Sequence, residues 1–255
     1  MRTIRVLTCV TFILGIAIGG YAQNVGGKPA RYSYTMVRLD SSWDAKTDAK
    51  LARYVARQKA KLDKQMGVVI GHCQETMNSA PPQSPLSNFL TDLLLEKGTD
   101  YVQSEDFPRC DIALLNFGGI RSQLSAGDIH VGDIYSLSPF DNYLVFIELK
   151  GSELRKALER FKPLTQNAPF AGAQMTFQGG KPVRILIGGE PLRDDRIYRL
   201  VTLNFISEGG DNILQGVEYE RVLYTPVVFR NFLIREIKKM SKPVTATEDD
   251  RVILK

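Results

Sequence analysis

Asp111-Ile112-Ala113-Leu114-Leu115-Asn116-Phe117-Gly118-Gly119-Ile120-Arg121 sets a short apolar run directly in front of a glycine pair. The run reads as a buried strand. Gly118 and Gly119 carry no Cβ, so the backbone can turn sharply there and come close to a ligand. Asn116 offers an amide that both donates and accepts, and Arg121 a planar fork suited to phosphate or carboxylate. Taken alone, the stretch is a weak signal, since a Gly-Gly turn after a strand is more often structural, with the arginine simply solvated. Its weight comes from the loops around it.

Three further loops carry similar chemistry. Pro139-Phe140-Asp141-Asn142 precedes an apolar strand, Tyr143 to Leu149, and Asn204-Phe205 with Gly209-Gly210-Asp211 follows the strand Tyr198 to Leu203. The segment around Gly172 opens a hairpin, Ala173 to Phe177 against Val183 to Ile187, with Gly179-Gly180 at its turn. Loops that follow or precede strong strands converge on one end of a sheet and build sites there. A phenylalanine in a polar, glycine-containing loop is either a core plug or a platform. Two of them could clamp a flat ring, each base–aromatic contact being worth ~1–3 kcal/mol.

Outside these loops the patterning is that of a folded core. Helical periodicity runs from Asp44 to Met66, with Leu51, Tyr54, Val55, Leu62 and Met66 on one face, and Val68-Val69-Ile70 follows as a strand. Ser84 is an N-cap in front of Pro85, and Leu86, Phe89, Leu90, Leu93 and Leu94 form a stripe that leaves only Asn88 unexplained. Gly127 to Tyr135 reads as a loop ending in a short helix. Further helices are expected over Ser152 to Phe161 and Pro226 to Lys239. Strands, hairpins and helices without regular βαβ alternation favour α+β, with helices packed outside mixed sheets.

Composition narrows the function. The chain has 255 residues, 44% of them hydrophobic, enough for one domain with a substantial core. Arg2 and Arg5, the apolar run Val6 to Ile18 and the small residues up to Ala22 have the order of a secretory signal, so residues 1–22 are read as a signal peptide. Residues 23–43 form a lead-in, and 44–255 the domain. Removing the signal leaves 31 basic residues against 28 acidic, net +3, too few and too dispersed for a nucleic-acid surface. Nothing suggests membrane insertion after signal removal, and a periplasmic or secreted location follows. Cys73 and Cys110 could pair or remain two buried thiols. His72 and His130 lack any metal-ligand spacing and read as bystanders.

The ordered set Ser84-Pro85-Leu86-Ser87-Asn88-Phe89-Leu90, Asn116 to Arg121, Gly127-Asp128-Ile129, Pro139 to Asn142 and Asn204-Phe205 to Asp211 resembles the C-terminal domain of the 5'-nucleotidases, or UDP-sugar hydrolases, over roughly residues 68–255. The resemblance implies a layered α/β/β/α sandwich that binds the substrate nucleotide. It places Phe140 and Phe205 on either side of the base and gives Asn116 and Asn142 bonds to base or ribose. Asp211 would accept from ribose hydroxyls, Gly119 would line the site, and Arg121 would face the phosphate. Phe117 and Ser87 stand where the family usually has glycine, and Ala80-Pro81-Pro82-Gln83 lacks a further arginine common there.

Family enzymes add an N-terminal metallophosphatase domain with two metal ions. This sequence has no Asn-His-Glu or His-x-His cluster for one, and its single Asp-x-His, Asp128-Ile129-His130, stands alone. The expectation is therefore a nucleotide-recognition subunit with no cofactor and no catalytic residue of its own, serving a separately encoded metallophosphatase that holds the divalent metals. The alternative is a protein that only captures nucleotides or nucleosides.

Overall fold

The computed structural model describes residues 33–46, 48–102, 107–165 and 168–255. The signal segment and the start of the lead-in lie outside these residues. The described residues up to Ala52 belong to one unit and those of Arg53–Lys255 to another. In the first, Trp43 Nε1 donates to the Arg38 carbonyl at 3.0 Å.

Six α-helices and eleven strands are described. The helices are α1 (Ala49–Met66), α2 (Pro85–Lys97), α3 (Val131–Leu137), α4 (Gly151–Leu158), α5 (Asn204–Ser207) and α6 (Phe229–Lys239). The strands are β1 (Val69–Cys73), β2 (Ile112–Leu114), β3 (Gly127–His130), β4 (Tyr143–Lys150), β5 (Phe170–Ala171) and β6 (Ala173–Gln178). After them come β7 (Lys181–Ile187), β8 (Glu190–Pro191), β9 (Ile197–Leu203), β10 (Arg221–Val228) and β11 (Val252–Leu254).

A five-stranded sheet in the order β10-β4-β9-β2-β5 lies at the centre. It is mixed: β9 runs parallel to β2 and antiparallel to β4. Alternation along its strands feeds two cores, because successive side chains point to opposite faces. Ala113, Leu115, Leu144, Phe146, Val201 and Leu203 join α2, α3 and α6 in one cluster. Ile112, Leu114, Val145, Ile147, Leu149 and Leu200 join α4 and a second sheet, β11-β6-β7-β8, in the other. Two stacked sheets with helices packed on them is the α+β arrangement that the patterning and the resemblance lead one to expect.

Several local expectations hold for the stated reasons. Ser84 caps α2, and Ser87 completes a capping box: the Ser87 hydroxyl accepts from the Ser84 amide at 3.0 Å. Asn88, unexplained by the stripe, is buried and donates to Gln83 Oε1 at 3.1 Å and the Thr247 carbonyl at 3.0 Å. It fastens the C-terminal stretch to α2.

Other expectations need correcting. Helix α1 starts at Ala49, not Asp44, because Asp48 accepts from the amides of Lys50 and Leu51 and caps it there. Its Leu51, Tyr54, Val55 and Leu62 are exposed. Pro226 to Val228 belong to β10, not to the last helix: the β-branched residues of Arg221–Val228 suit a strand, and the proline falls where the register with β4 shifts. Gly127–His130 is a strand paired with β1, not a loop. Cys73 and Cys110 are both free. The Cys73 thiol donates to the Glu75 carbonyl, and burial pushes the Cys110 thiol up to about 12.

Arg251 closes the fold from the C-terminal side. Its guanidinium donates to the Phe170 carbonyl at 2.9 Å and to Asp92 and Asp249 at 2.9 and 2.8 Å, tying β5, α2 and the strand that follows. The bond to Arg251 holds the Asp249 carboxyl below its ordinary 3.8. That contribution is complete above the unfolded value and is lost as pH falls through the folded one. We expect Arg251→Ala to cost about 2–3 kcal/mol at neutral pH, mostly from charge-assisted bonds, read as a lower chemical-denaturation midpoint. The deficit should shrink as pH falls below about 4 and be smallest once pH lies below the lowered pKa that Asp249 has in the unaltered fold.

Candidate functional site

The topology gathers three of the four loops. Because β2 and β9 are parallel and β4 is antiparallel between β9 and β10, the ends of β2 and β9 and the start of β4 emerge on the same side of the sheet. Asn116 to Arg121 leaves β2, Ser138 to Asn142 enters β4, and Asn204 to Asp211 leaves β9. The Gly172 segment does not join them. Since β5 is antiparallel to β2 with Ala113 opposite Ala171, Gly172 lies at the other end, where a Cβ would sit 2.2 Å from the Asp111 carbonyl oxygen.

After β2 the chain makes a 3-10 turn, Phe117–Gly119, around the side chain of Asn116. Asn116 is only 6% exposed and points inward, its Nδ2 donating to Asp211 Oδ2 at 2.7 Å. Its Oδ1 is buried and finds no partner among the described residues. Gly119 is required here, because a Cβ on it would stand 2.6 Å from Asn116 Oδ1. Asp211 and Asn212 take left-handed backbone angles, φ 53 and 56, which short polar side chains tolerate best. The second carboxylate oxygen of Asp211 has no partner among the described residues. Phe117 and Asp211 stand together on a cleft of about 270 Å³, with Arg160, Phe161 and Ile213 behind them.

The two aromatic loops sit side by side. Leu144 pairs with Leu203, so Phe140, ahead of β4, and Phe205, beyond β9, flank the same strand ends. The rings are 47% and 40% exposed, unlike the core phenylalanines 146, 170 and 232. Asn204 joins the loops directly: its Oδ1 accepts from the Tyr143 amide at 2.8 Å. The Asn142 carbonyl accepts from the Phe229 amide at 2.8 Å. Arg121 is exposed, with its guanidinium carbon 6.0 Å from the Phe140 ring centroid. Thus Asn116 with Asp211, Gly119 with Asn116, Arg121 with Phe140, and the Phe140–Asn142 loop with Phe205 are all brought together. The side chain of Asn204 was not singled out by sequence, although its place directly after a strand and before an exposed aromatic marks it.

With this geometry in view, the sequence matches the family model for the 5'-nucleotidase C-terminal domain over residues 69–218. The chain belongs to that family. It is 36% identical over 107 residues to a 5'-nucleotidase of Vibrio cholerae, covering 40% of this chain and 19% of that one. It is 31% identical over 166 residues to the protein UshA of Yersinia enterocolitica, covering 63% and 28%. Among solved structures, the 5'-nucleotidase precursor from Thermus thermophilus superposes with a TM-score of 0.67 at 28% identity, over 81% of this chain and 43% of that one. The chain therefore spans between a fifth and a third of the length of these two curated relatives.

His72 and His130 lie on the β1–β3 pair, with Nδ1 atoms 3.2 Å from Asp128 and Asp133. Among the described residues of this C-terminal domain, no three His, Cys, Asp or Glu side chains could hold a metal ion. No helix among them is long and apolar enough to cross a membrane.

The fit of the glycine turn around Asn116 is open to test. Gly119→Ala should force the Asn116 side chain to rotate and break its bond to Asp211. We expect a loss of about 1–3 kcal/mol, the usual cost of overpacking, in thermal unfolding. The Asn116 side-chain amide resonances should shift selectively in a nitrogen–proton spectrum.

Proposed function

We propose that this domain recognises a nucleotide, holding the base between Phe140 and Phe205, the ribose at Asp211 and the phosphate at Arg121. The observation that carries this reading is the pair of half-exposed aromatic rings on neighbouring strand ends, tied together by the Asn204–Tyr143 hydrogen bond. Exposed phenylalanines cost solvation unless a flat apolar partner covers them, and a base is such a partner. The partner-free oxygen of Asp211 can accept from a ribose hydroxyl. Asn116, turned inward, serves to aim that carboxylate, and Asn142, two residues after Phe140, offers an amide for a base edge. Membership of a 5'-nucleotidase family supports a nucleotide over another flat ligand.

Hydrolysis is a separate matter. In this reading the domain delivers the nucleotide to a metal-bearing phosphatase encoded separately, which activates water and clamps the phosphate. We further propose that the protein is exported, on the strength of residues 1–22.

Calorimetry with AMP and adenosine tests the platform. Phe140→Ala or Phe205→Ala should weaken both ligands by about 1–3 kcal/mol. Stability should fall by less than the roughly 3–5 kcal/mol of a buried Phe→Ala. Severe unfolding without selective loss of binding would make both rings core residues.

Arg121→Ala should reduce AMP affinity by about 1.5–3 kcal/mol, the worth of a charge-assisted bond, and leave adenosine nearly unchanged. Equal losses for the two ligands would restrict Arg121 to shaping its loop. Addition of the domain to a candidate metallophosphatase should raise kcat/KM for AMP more than for a small generic ester. Binding without any such gain would leave a capture protein.

A further inference from the structure

Arg230 lies in the first turn of α6 and is 9% exposed. A cation at a helix N-terminus opposes the helix dipole, so its place there does nothing for the helix. Its guanidinium is instead spent on the loop that bears Phe140. Nη1 lies within donating distance of three successive carbonyls, Ser138 at 3.2 Å, Pro139 at 2.9 Å and Phe140 at 3.3 Å. Nη2 donates to the Asp141 carboxylate. The guanidinium carbon stacks 4.3 Å from the centroid of Tyr135 in α3. Nε is buried and has no acceptor among the described residues. One side chain at the helix start, backed by a ring from a second helix, thus grips four consecutive residues of one loop.

We propose that Arg230 is the positioning residue of the base platform: it fixes the backbone of Ser138–Asp141 so that the Phe140 ring is presented before a ligand arrives. The proposal rests on the reading of Phe140 as one side of a base clamp. A loop of four residues with no sheet partners would otherwise sample many conformations, and ordering it on binding would subtract from affinity. Three carbonyls aimed at Nη1 leave few backbone arrangements open, and a planar fork can meet them while its second nitrogen holds Asp141 and its face lies on Tyr135. The neighbouring bond from the Phe229 amide to the Asn142 carbonyl anchors the far end of the loop to the same helix turn. Arg230 touches no part of the ligand in this scheme and acts through Phe140.

The test compares AMP with ribose 5-phosphate, which keeps sugar and phosphate but offers no base. Dissociation constants are measured for the unaltered protein, Phe140→Ala, Arg230→Met, Arg230→Lys and the double variant Phe140→Ala/Arg230→Met, each checked by thermal melting. Arg230→Met should lose AMP affinity within the 5- to 150-fold range of about one stacking contact and keep its affinity for ribose 5-phosphate. The double variant should be no weaker than Phe140→Ala. Arg230→Lys, which retains charge but not the fork, should fold and still lose AMP affinity severalfold.

Equal losses for both ligands, unchanged AMP binding in Arg230→Lys, or losses that multiply in the double variant would each overturn the proposal. If Arg230→Met does not fold, Arg230→Lys decides the matter by the same ratio. An unchanged AMP constant in Phe140→Ala identifies failure of the clamp reading itself, and the positioning role falls with it.

Discussion

The position of β9 between a parallel and an antiparallel neighbour is the constraint on which the molecule depends. Pairing Ile112 with Leu200 on one side and Leu144 with Leu203 on the other brings two strand ends and one strand start to a single rim. Were β2 antiparallel to β9, Asn116 to Arg121 would leave from the opposite rim and Asn116 could not reach Asp211. The pairing is reinforced where it matters. The buried Thr202 hydroxyl donates to the Leu114 carbonyl at 2.9 Å, one residue before the site loop begins. At the opposite rim Asp111 accepts from Arg196 at 2.7 Å and from the Arg199 amide at 2.8 Å, and Gly172 packs against its carbonyl. One rim is closed by ion pairs and backbone contact; the other carries the loops.

Two arginines do comparable work at different places. Arg251 gathers carboxylates and a carbonyl from α2, β5 and the segment just before the last strand, and so serves the fold. Arg230 gathers carbonyls from one loop and so serves the rim. In both, donors on a rigid plane satisfy backbone oxygens that irregular chain would otherwise leave without partners. Lysine could reproduce neither arrangement, since its single nitrogen cannot occupy both Nη positions.

The sequence carried the central architecture because its strongest signals are local. The strand before Asn116, the capped stripe of α2, the Gly179-Gly180 hairpin and the strands before Phe205 and after Asn142 could all be read from periodicity and turn residues. The short strands β5 and β11 could not, since two or three residues carry no period and gain their pairing from partners far along the chain. The start of α6 was misplaced because Pro226 suits a helix's first turn as well as an irregular point in a strand, and only the register with β4 decides between them. At the rim, residue types marked Asn116, Arg121, Phe140, Phe205 and Asp211 as candidates. Their mutual arrangement was not legible. That Asn116 faces inward to Asp211, that Asn204 bridges two loops and that Arg230 holds one of them depend on contacts between segments roughly 60 to 95 residues apart.

Those separations also bear on the order in which the chain acquires its parts. The β2–β9 pair joins segments 88 residues apart, as the Thr202–Leu114 bond marks, so a large loop must close before any of its hydrogen bonds form. The hairpin β6–β7 and the capped helix α2 need no such closure. The rim cannot exist until the long-range pair is made, because its loops have no common end to hang from before then. Partly folded chains therefore lack the aromatic platform altogether, and a ligand that engages it adds to the stability of the finished fold alone.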